Sequence, residues 1–204
     1  MTIRVKNLDI PDVKLITSAR HGDERGYFAE TWNERDLIAA GLRCDFVQDN
    51  QAMSISTGTI RGLHFQTAPF AQGKLLRVLK GRIFDVAVDI RTGSETYGQW
   101  VGVELDSTGG QQIWIPQGFA HGYCTLESYT EVLYKADAYY NPGAEAGFRW
   151  DDPDIGIDWP RLESVPIISS RDQTLPALAT LQSVNVSKVD QQTSDSYHPS
   201  LPVD

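Results

Sequence analysis

The feature that most limits the fold is a series of short segments in which apolar and polar residues alternate. In the segment 82–91, an apolar row from Phe84 to Ile90 alternates with a row that contains Asp85 and Asp89. Turn-forming residues separate the segments, and the gaps are too short for the crossover helices that a parallel sheet requires. The pattern predicts a mostly β fold of antiparallel strands, a jelly roll or small barrel, with a polar or wet side at the two aspartates.

The same patterns predict where the strands lie and indicate short peripheral helices. The clearest helix begins after Asn33, which can cap it, and ends at Gly41. Seventeen Gly and ten Pro favour strands and turns over a helical bundle. The predicted strands cover residues 27–32, 46–52, 59–66, 74–79, 82–91, 100–105, 112–115, 119–126 and 130–136.

The regular pattern ends well before the C-terminus. After Tyr140, scattered Trp and Pro residues predict a segment that wraps the barrel by aromatic packing. Beyond Pro176 the periodicity fades, and the final stretch is rich in Ser, Gln and Asp. We expect one domain over residues 1–176 and an extended or poorly ordered tail over residues 177–204.

The formal net charge of -9 limits the partners of the chain. Nucleic acids and anionic membranes require a broad basic surface, so neither is expected to bind. A small phosphate-bearing ligand is compatible with this charge, because a few Arg and Lys side chains can converge in a pocket. Cys44 and Cys124 are far apart, which predicts reduced thiols in a cytoplasmic protein. Neither an export signal nor a membrane-spanning stretch of about 18 apolar residues is expected.

Two histidines occupy positions typical of a ligand-binding barrel. His64 ends the sequence R-G-L-H on a predicted strand, where it can act as a general base or bond to the backbone. His121 ends P-Q-G-F-A-H, which matches the P-x-G-x-x-H pattern of the second cupin motif. Metal-binding cupins also carry an H-x-H pair, but Phe65 and Gln66 follow His64. A three-histidine metal site is therefore not expected.

Tyr134 lies on the predicted strand that follows the one bearing His121. A buried tyrosine most often serves packing alone. A base on one side of a sugar ring and a phenol on the other would instead remove a proton from one face and return it to the opposite face. Such an arrangement inverts a stereocentre, and His64 with Tyr134 is the candidate pair.

Motifs in the same order span roughly residues 10–172. They are D-E-R-G-Y-F-A-E at 23–30, Q-D-N at 48–50, R-G-L-H-F-Q at 61–66, G-K-L at 73–75, D-V-A-V-D-I-R at 85–91, I-P-Q-G-F-A-H-G-Y at 115–123, L-Y-K at 133–135 and W-D-D-P at 150–153. Together they resemble the dTDP-4-dehydrorhamnose 3,5-epimerase family. The resemblance implies a cupin jelly roll, a homodimer, and no metal or organic cofactor. It also implies an isomerase acting on a dTDP-4-keto-6-deoxyhexose, as in dTDP-L-rhamnose biosynthesis.

The resemblance assigns the chemistry to four residues. It makes His64 the base that removes the proton beside the C4 ketone, with Asp172 orienting its imidazole. It makes Tyr134 the acid on the opposite face. Removal of the proton creates an enolate, and Lys74 matches the cation that stabilises it.

The resemblance also implies a set of substrate-binding residues, in which arginines hold the diphosphate and the others hold the sugar or the base. Tyr139 is the candidate for stacking on thymine. The other members are Arg25, Glu30, Gln48, Asn50, Arg61, Lys74, His121, Glu145 and Arg171. In a regular strand Arg61 and His64 would point to opposite faces. Both serve one site only if the strand bulges or ends nearby, and Gly62 would permit a bulge.

Three other functions stay open at this point. Relatives that epimerise only C3 or only C5 share most of these motifs. A metal-dependent cupin oxygenase or isomerase would use His64, His121 and a carboxylate such as Glu30. A non-catalytic sugar-nucleotide binder would keep the barrel without turnover.

Overall fold

A computed structural model describes residues 3–161 and 165–181. The mostly β architecture that the alternation predicts is confirmed. Among the described residues there is one short α-helix, α1 (Glu34–Ala39), and two 3-10 helices at Asp172–Thr174 and Leu178–Leu181. The strands are β1 (Ile3–Asn7), β2 (Lys14–Ser18), β3 (His21–Asp23), β4 (Gly26–Phe28), β5 (Gln48–Ser54), β6 (Thr59–Gln66), β7 (Lys74–Lys80), β8 (Arg82–Asp89), β9 (Trp100–Asp106), β10 (Gln111–Ile115), β11 (Phe119–Thr125), β12 (Thr130–Ala136), β13 (Glu145–Gly147) and β14 (Ile167–Ile168).

The strands form two six-stranded sheets and a separate hairpin. The first sheet has the strand order β1-β2-β10-β7-β12-β5. The second has the order β13-β6-β11-β8-β9, with β14 added parallel to β6. Strands β3 and β4 pair with each other as the hairpin. From β6 to β12 the chain crosses repeatedly between antiparallel sheets, which is the connectivity of a jelly roll.

A hydrophobic core fills the space between the two sheets. Leu76, Ile113 and Val132 come from the first sheet, and Ile83 and Leu105 come from the second. Each of these side chains is no more than 1% exposed. The two sheets therefore face each other, and a polar residue on an inner row is surrounded by protein rather than by bulk water.

The polar row of β8, formed by Asp85 and Asp89, does not face water as a wet side would. Asp85 and Asp89 are both 0% exposed. Asp89 accepts hydrogen bonds from Arg91, Ser94 and Thr96. The row is polar, as the alternation predicts, but it is shielded from solvent because neighbouring side chains replace water as hydrogen-bond donors.

Helix α1 covers the outer face of the first sheet. Asn33 is its N-cap, as predicted, and the Asn33 side chain accepts from the backbone N–H of Arg35 at 3.0 Å. Gly41 follows the helix with a φ of 81°, a conformation that glycine adopts without strain. Leu37 packs with Trp114 of the sheet, which fixes the helix against β10.

The segment after Tyr140 wraps the second sheet, as expected. The Trp159 indole donates to the backbone oxygen of Trp150 at 2.9 Å, and its ring packs edge-on against Phe84 of β8. The packed structure continues beyond residue 176, since Leu178 is only 6% exposed. Residues 182–204 of the predicted tail lie outside the described residues. No described helix has the length and apolar character needed to cross a membrane.

Candidate active site

A cavity of about 470 Å³ opens between the two sheets and is lined by strands of both. Its lining contains much of the site predicted from the sequence: Arg61 and His64 on β6, Lys74 on β7, His121 on β11, Tyr134 on β12, and Arg171 with Asp172 after β14. The remaining lining residues are mostly apolar or neutral. The fold thus gathers the proposed acid, base and cation into one cavity.

A bulge in β6 brings Arg61 and His64 to the same cavity. Three residue steps from Arg61 to His64 on β6 face only two steps on β11. Gly62, with a φ of 133°, lies at the irregularity, and a Cβ there would sit 2.5 Å from the Cα of Gly122. Because only hydrogen fits between the two backbones, glycine is required at this position. The bulge predicted at Gly62 is confirmed.

The His64 imidazole is held by a buried carboxylate. Its Nε2 lies 2.7 Å from Oδ1 of Asp172, which is 4% exposed. A neutral imidazole that donates Nε2–H to this carboxylate keeps a lone pair on Nδ1. Burial lowers the pKa of His64, and the contacts with Asp172 offset only part of that effect. His64 is therefore neutral near pH 7, in the form that accepts a proton.

Tyr134 and Lys74 stand on the opposite sheet. Lys74 Nζ lies 5.8 Å from the centroid of the Tyr134 ring. Burial raises the pKa of Tyr134, so its phenol keeps its proton at neutral pH. Burial also lowers the pKa of Lys74 to about 8, against the attraction of Asp85 and Glu145. The lysine is still mostly an ammonium at pH 7, so this wall presents both a proton donor and a cation.

His121 belongs to a second histidine–carboxylate pair. Its Nε2 lies 2.9 Å from Oδ2 of Asp85, and the two residues are 6% and 0% exposed. Asp85 was not among the site residues predicted from the sequence. Its place on the inner row of β8, one strand from His121, is the signal that would have found it.

A polar network reaches the cavity through Arg171, which lines it. The Gln48 side chain donates to Asn50 and accepts from the backbone N–H of Tyr140, both at 2.9 Å. The Tyr140 hydroxyl donates to Glu145 at 2.6 Å, and Glu145 pairs with Arg171 at 2.8 Å. Partial burial by itself would raise the pKa of Glu145. The hydrogen bonds from Tyr140 and Arg171 outweigh that effect, so the pKa of Glu145 is lowered. Glu145 is therefore ionised at neutral pH, and its charge is paired with Arg171, which precedes Asp172 in the chain.

Comparison with known proteins agrees with this geometry. A family model described as dTDP-4-dehydrorhamnose 3,5-epimerase matches residues 7–180. The chain belongs to the dTDP-4-dehydrorhamnose 3,5-epimerase family. The predicted family and the cupin-type jelly roll are thereby confirmed, and the protein is an isomerase.

Named relatives in this epimerase family cover most of the chain. A dTDP-4-dehydrorhamnose 3,5-epimerase from Sinorhizobium fredii is 47% identical over 176 residues, which are 86% of this chain and 90% of the relative. A Legionella pneumophila 3,5-epimerase, solved with dTDP-4-keto-L-rhamnose, has a TM-score of 0.84 and 42% identity, covering 88% of this chain and 94% of its own. A 3'-monoepimerase from Streptomyces bikiniensis, solved with dTDP-quinovose, has a TM-score of 0.80 and 30% identity. The match covers 86% of this chain and 88% of the monoepimerase chain.

Six residues selected for substrate binding in this epimerase do not line the cavity. Gln48, Asn50 and Glu145 belong to the polar network that reaches Arg171. The other three lie elsewhere. Arg25 lies in the turn of the β3–β4 hairpin and pairs with Asp23. Glu30 accepts from the Asn33 side chain at 3.0 Å. Tyr139 is 70% exposed, whereas its neighbour Tyr140 is the tyrosine that bonds Glu145 in the polar network. Two adjacent tyrosines offered no sequence signal to separate these roles.

The donors required by a metal-dependent cupin have other partners. Among the residues that the structure describes, no group of three His, Cys, Asp or Glu side chains is arranged to hold a metal ion. Nε2 of His64 faces Asp172, and Nε2 of His121 faces Asp85. Glu30, the carboxylate considered for such a site, bonds to Asn33 instead.

Proposed function

We propose that this epimerase inverts C3 and C5 of dTDP-4-keto-6-deoxyglucose, giving dTDP-4-keto-L-rhamnose for dTDP-L-rhamnose synthesis. Both carbons flank the C4 ketone, so removal of either proton gives an enolate. The observation that carries the proposal is that His64 and Tyr134 line one cavity from opposite sheets. The Legionella pneumophila relative with bound dTDP-4-keto-L-rhamnose supports the choice of substrate.

In this proposal His64 removes the proton. Its lowered pKa favours the neutral imidazole, and the pair with Asp172 leaves Nδ1 as the accepting nitrogen. As His64 takes the proton it becomes an imidazolium, and the Asp172 carboxylate 2.7 Å away stabilises the new positive charge. Asp172 therefore acts through His64 rather than on the sugar.

Lys74 and Tyr134 complete the reaction from the other wall. The enolate carries its charge on the C4 oxygen, and the buried Lys74 ammonium stabilises that charge more strongly than a solvated cation would. Tyr134 donates its phenolic proton to the carbon from the face opposite His64. The configuration at that carbon is thereby inverted.

The other predicted residues bind the remaining parts of the substrate. Arg61 and Arg171, both lining the cavity, provide guanidinium groups for the diphosphate. The amides of Gln48 and Asn50, with His121 and Glu145, provide hydrogen bonds for the sugar or the base. Tyr139, with its exposed ring, stays the predicted stacking partner of thymine.

A single-centre epimerase is the second candidate. The Streptomyces bikiniensis 3'-monoepimerase favours it, since that protein shares the fold at a TM-score of 0.80. Its 30% identity is well below the 42% of the Legionella pneumophila 3,5-epimerase. Both reactions require the same base, acid and cation, and they differ in whether the ring can turn so that C5 also approaches His64.

A homodimer would give Arg25 and Glu30 access to a substrate. Tyr27 and Phe28 on the β3–β4 hairpin are 61% and 72% exposed, which is typical of a surface that another chain covers. In a twofold dimer this hairpin would extend over the cavity of the second copy and bring Arg25 to its diphosphate. The two free cysteines, Cys44 and Cys124, support the cytoplasm as its compartment.

Proton NMR in deuterated water tests the proposed reaction. dTDP-4-keto-6-deoxyglucose is incubated with the protein, and the sugar H3 and H5 signals are followed. Loss of both signals is the expected result. Loss of one signal would identify a single-centre epimerase, and retention of both despite measured binding would contradict epimerisation of this substrate.

A further inference from the structure

Asp85 is a buried carboxylate that the proposed reaction does not use. It lies on the inner row of β8 and is 0% exposed. Its Oδ2 accepts from His121 at 2.9 Å, whereas its Oδ1 is buried without a hydrogen-bond partner among the described residues. An ionised carboxylate with a dry, unbonded oxygen is costly, so a nearby positive charge is needed to stabilise it.

Lys74 is the cation that fits this requirement. It projects from the facing sheet into the cavity that His121 also lines, and Asp85 is the leading attractive charge acting on its ammonium. Glu145 is the second carboxylate near Lys74. The other titratable or charged side chains facing this cavity are His64, His121, Tyr123, Tyr134, Arg61, Arg171 and Asp172.

Of the two carboxylates near Lys74, Asp85 is the one free to act as its counter-charge. Glu145 already bonds to Arg171 and Tyr140, so the Arg171 cation neutralises it. Its side chain is also 18% exposed, and water screens its charge. Asp85 is fully enclosed and, within the part of the chain that the structure describes, bonds only the His121 imidazole, so its field is weakly screened.

We propose that Asp85 is a positioning residue of the epimerase, which orients His121 and keeps Lys74 protonated opposite the ketone oxygen. Asp85 does not touch the substrate and exchanges no proton with it. It acts by fixing the charge state of the group that stabilises the enolate. The inference rests on the proposed role of Lys74 in that reaction.

The test removes the charge of Asp85 while keeping its shape. In Asp85→Asn the amide oxygen still accepts from His121, but the negative charge is gone. The Lys74 pKa is measured by NMR of protein labelled with carbon-13 at lysine Cε, and Lys74→Met identifies the signal. We expect the pKa to fall by about 1 pH unit. Turnover should be near normal at pH 6.5 and about tenfold lower at pH 8.5, because the alkaline limb of the pH profile moves to lower pH together with the pKa of Lys74.

Asp89→Asn is the matched control, because Asp89 is an equally buried carboxylate on the same row of β8. This variant should lower thermal stability but leave the pKa of Lys74 unchanged. The inference is overturned if Asp85→Asn leaves the Lys74 pKa unchanged, or if turnover falls equally at every pH.

A double-variant comparison covers the case in which Asp85→Asn alone does not fold. Lys74→Met should lower thermal stability, because it leaves the buried Asp85 charge without its counter-charge, and adding Asp85→Asn to Lys74→Met should recover part of that loss. Additional loss of stability in the double variant would overturn the inference. These measurements need no substrate, so they are read separately from the H3 and H5 exchange that tests epimerisation.

Discussion

His64 and Asp172 are 108 residues apart in the sequence, and His64 Nε2 lies 2.7 Å from Asp172 Oδ1. The carboxylate arrives on the 3-10 helix that follows β14, and its backbone N–H is held by Ser169 at 3.1 Å. The segment that wraps the barrel thus supplies the partner of the proposed base. Folding of this segment and orientation of the imidazole are therefore coupled.

Replacement of His64 by alanine should abolish both proton exchange and epimerisation. The loss should reach about 10³-fold, the range expected for removing a general base. The measurement is deuterium uptake at C3 and C5, with substrate binding and thermal stability as controls. Retention of near-normal turnover in a folded His64→Ala protein would remove His64 from the mechanism.

Turnover should depend on pH as a bell-shaped curve. Burial lowers the pKa of His64 below its ordinary value of about 6.5, so activity is full above that lowered pKa and falls as the pH drops through it. Burial lowers the pKa of Lys74 to about 8, so activity falls again as the pH rises through that value. A profile of kcat/KM between about pH 5 and pH 9 checks both limbs, because kcat/KM reports the pKa values of the free enzyme. A flat alkaline side up to pH 9 would contradict the role of Lys74.

Gly62→Ala should destabilise the protein and disrupt the cavity. The new methyl group would meet the Gly122 backbone at 2.5 Å, and alanine is also strained at a φ of 133°. We expect a loss of about 3 kcal/mol or more in unfolding free energy. Gly93→Ala is the matched control, since its φ is also positive but its Cβ would meet nothing within 4 Å. That variant should lose only about 1 kcal/mol. Equal losses in chemical denaturation would contradict the close-approach argument.

Strands with a clear apolar row were predicted well from the sequence. The bounds of β6 and β12 match residues 59–66 and 130–136. The short strands β13 and β14 were missed, because their pairing with β6 rather than any periodicity of their own defines them. β2 was missed for a related reason, since it pairs with β10, a strand far along the chain, and β1, which pairs with β2, was missed with it. The predicted strand at 27–32 is limited to β4, which pairs with β3 alone in a hairpin.

The site shows the same division between local and tertiary signals. The bulge at Gly62 was predicted because the family resemblance places Arg61 and His64 in one site, whereas a regular strand would point them to opposite faces. The burial of Asp85 depends on its contact with His121 across the sheet. The local alternation of apolar and polar residues placed Asp85 on a polar row, but it gave no information on which side chain would be its hydrogen-bond partner in place of water.

Mixing two inactive variants tests the proposed dimer. If Arg25 serves the cavity of the partner copy, each site takes His64 from one copy and Arg25 from the other. Arg25→Ala and His64→Ala then remove residues that different copies contribute to a site. A heterodimer of the two then contains one intact site, and a statistical mixture should regain about a quarter of the wild-type rate. The rate is measured after subunit exchange, with each variant alone as control. A mixture no more active than its components would place Arg25 outside the partner's site.

The opposite-face mechanism is tested most directly by the stereochemistry of deuterium uptake in Tyr134→Phe. This variant lacks the proposed acid but keeps His64, so we expect deuterium to enter C3 or C5 from the His64 side with retention of configuration. Inversion should be slowed by about 10²-fold or more. Exchange and inversion falling together, with dTDP-sugar binding and stability intact, would contradict the assignment of His64 and Tyr134 to opposite faces.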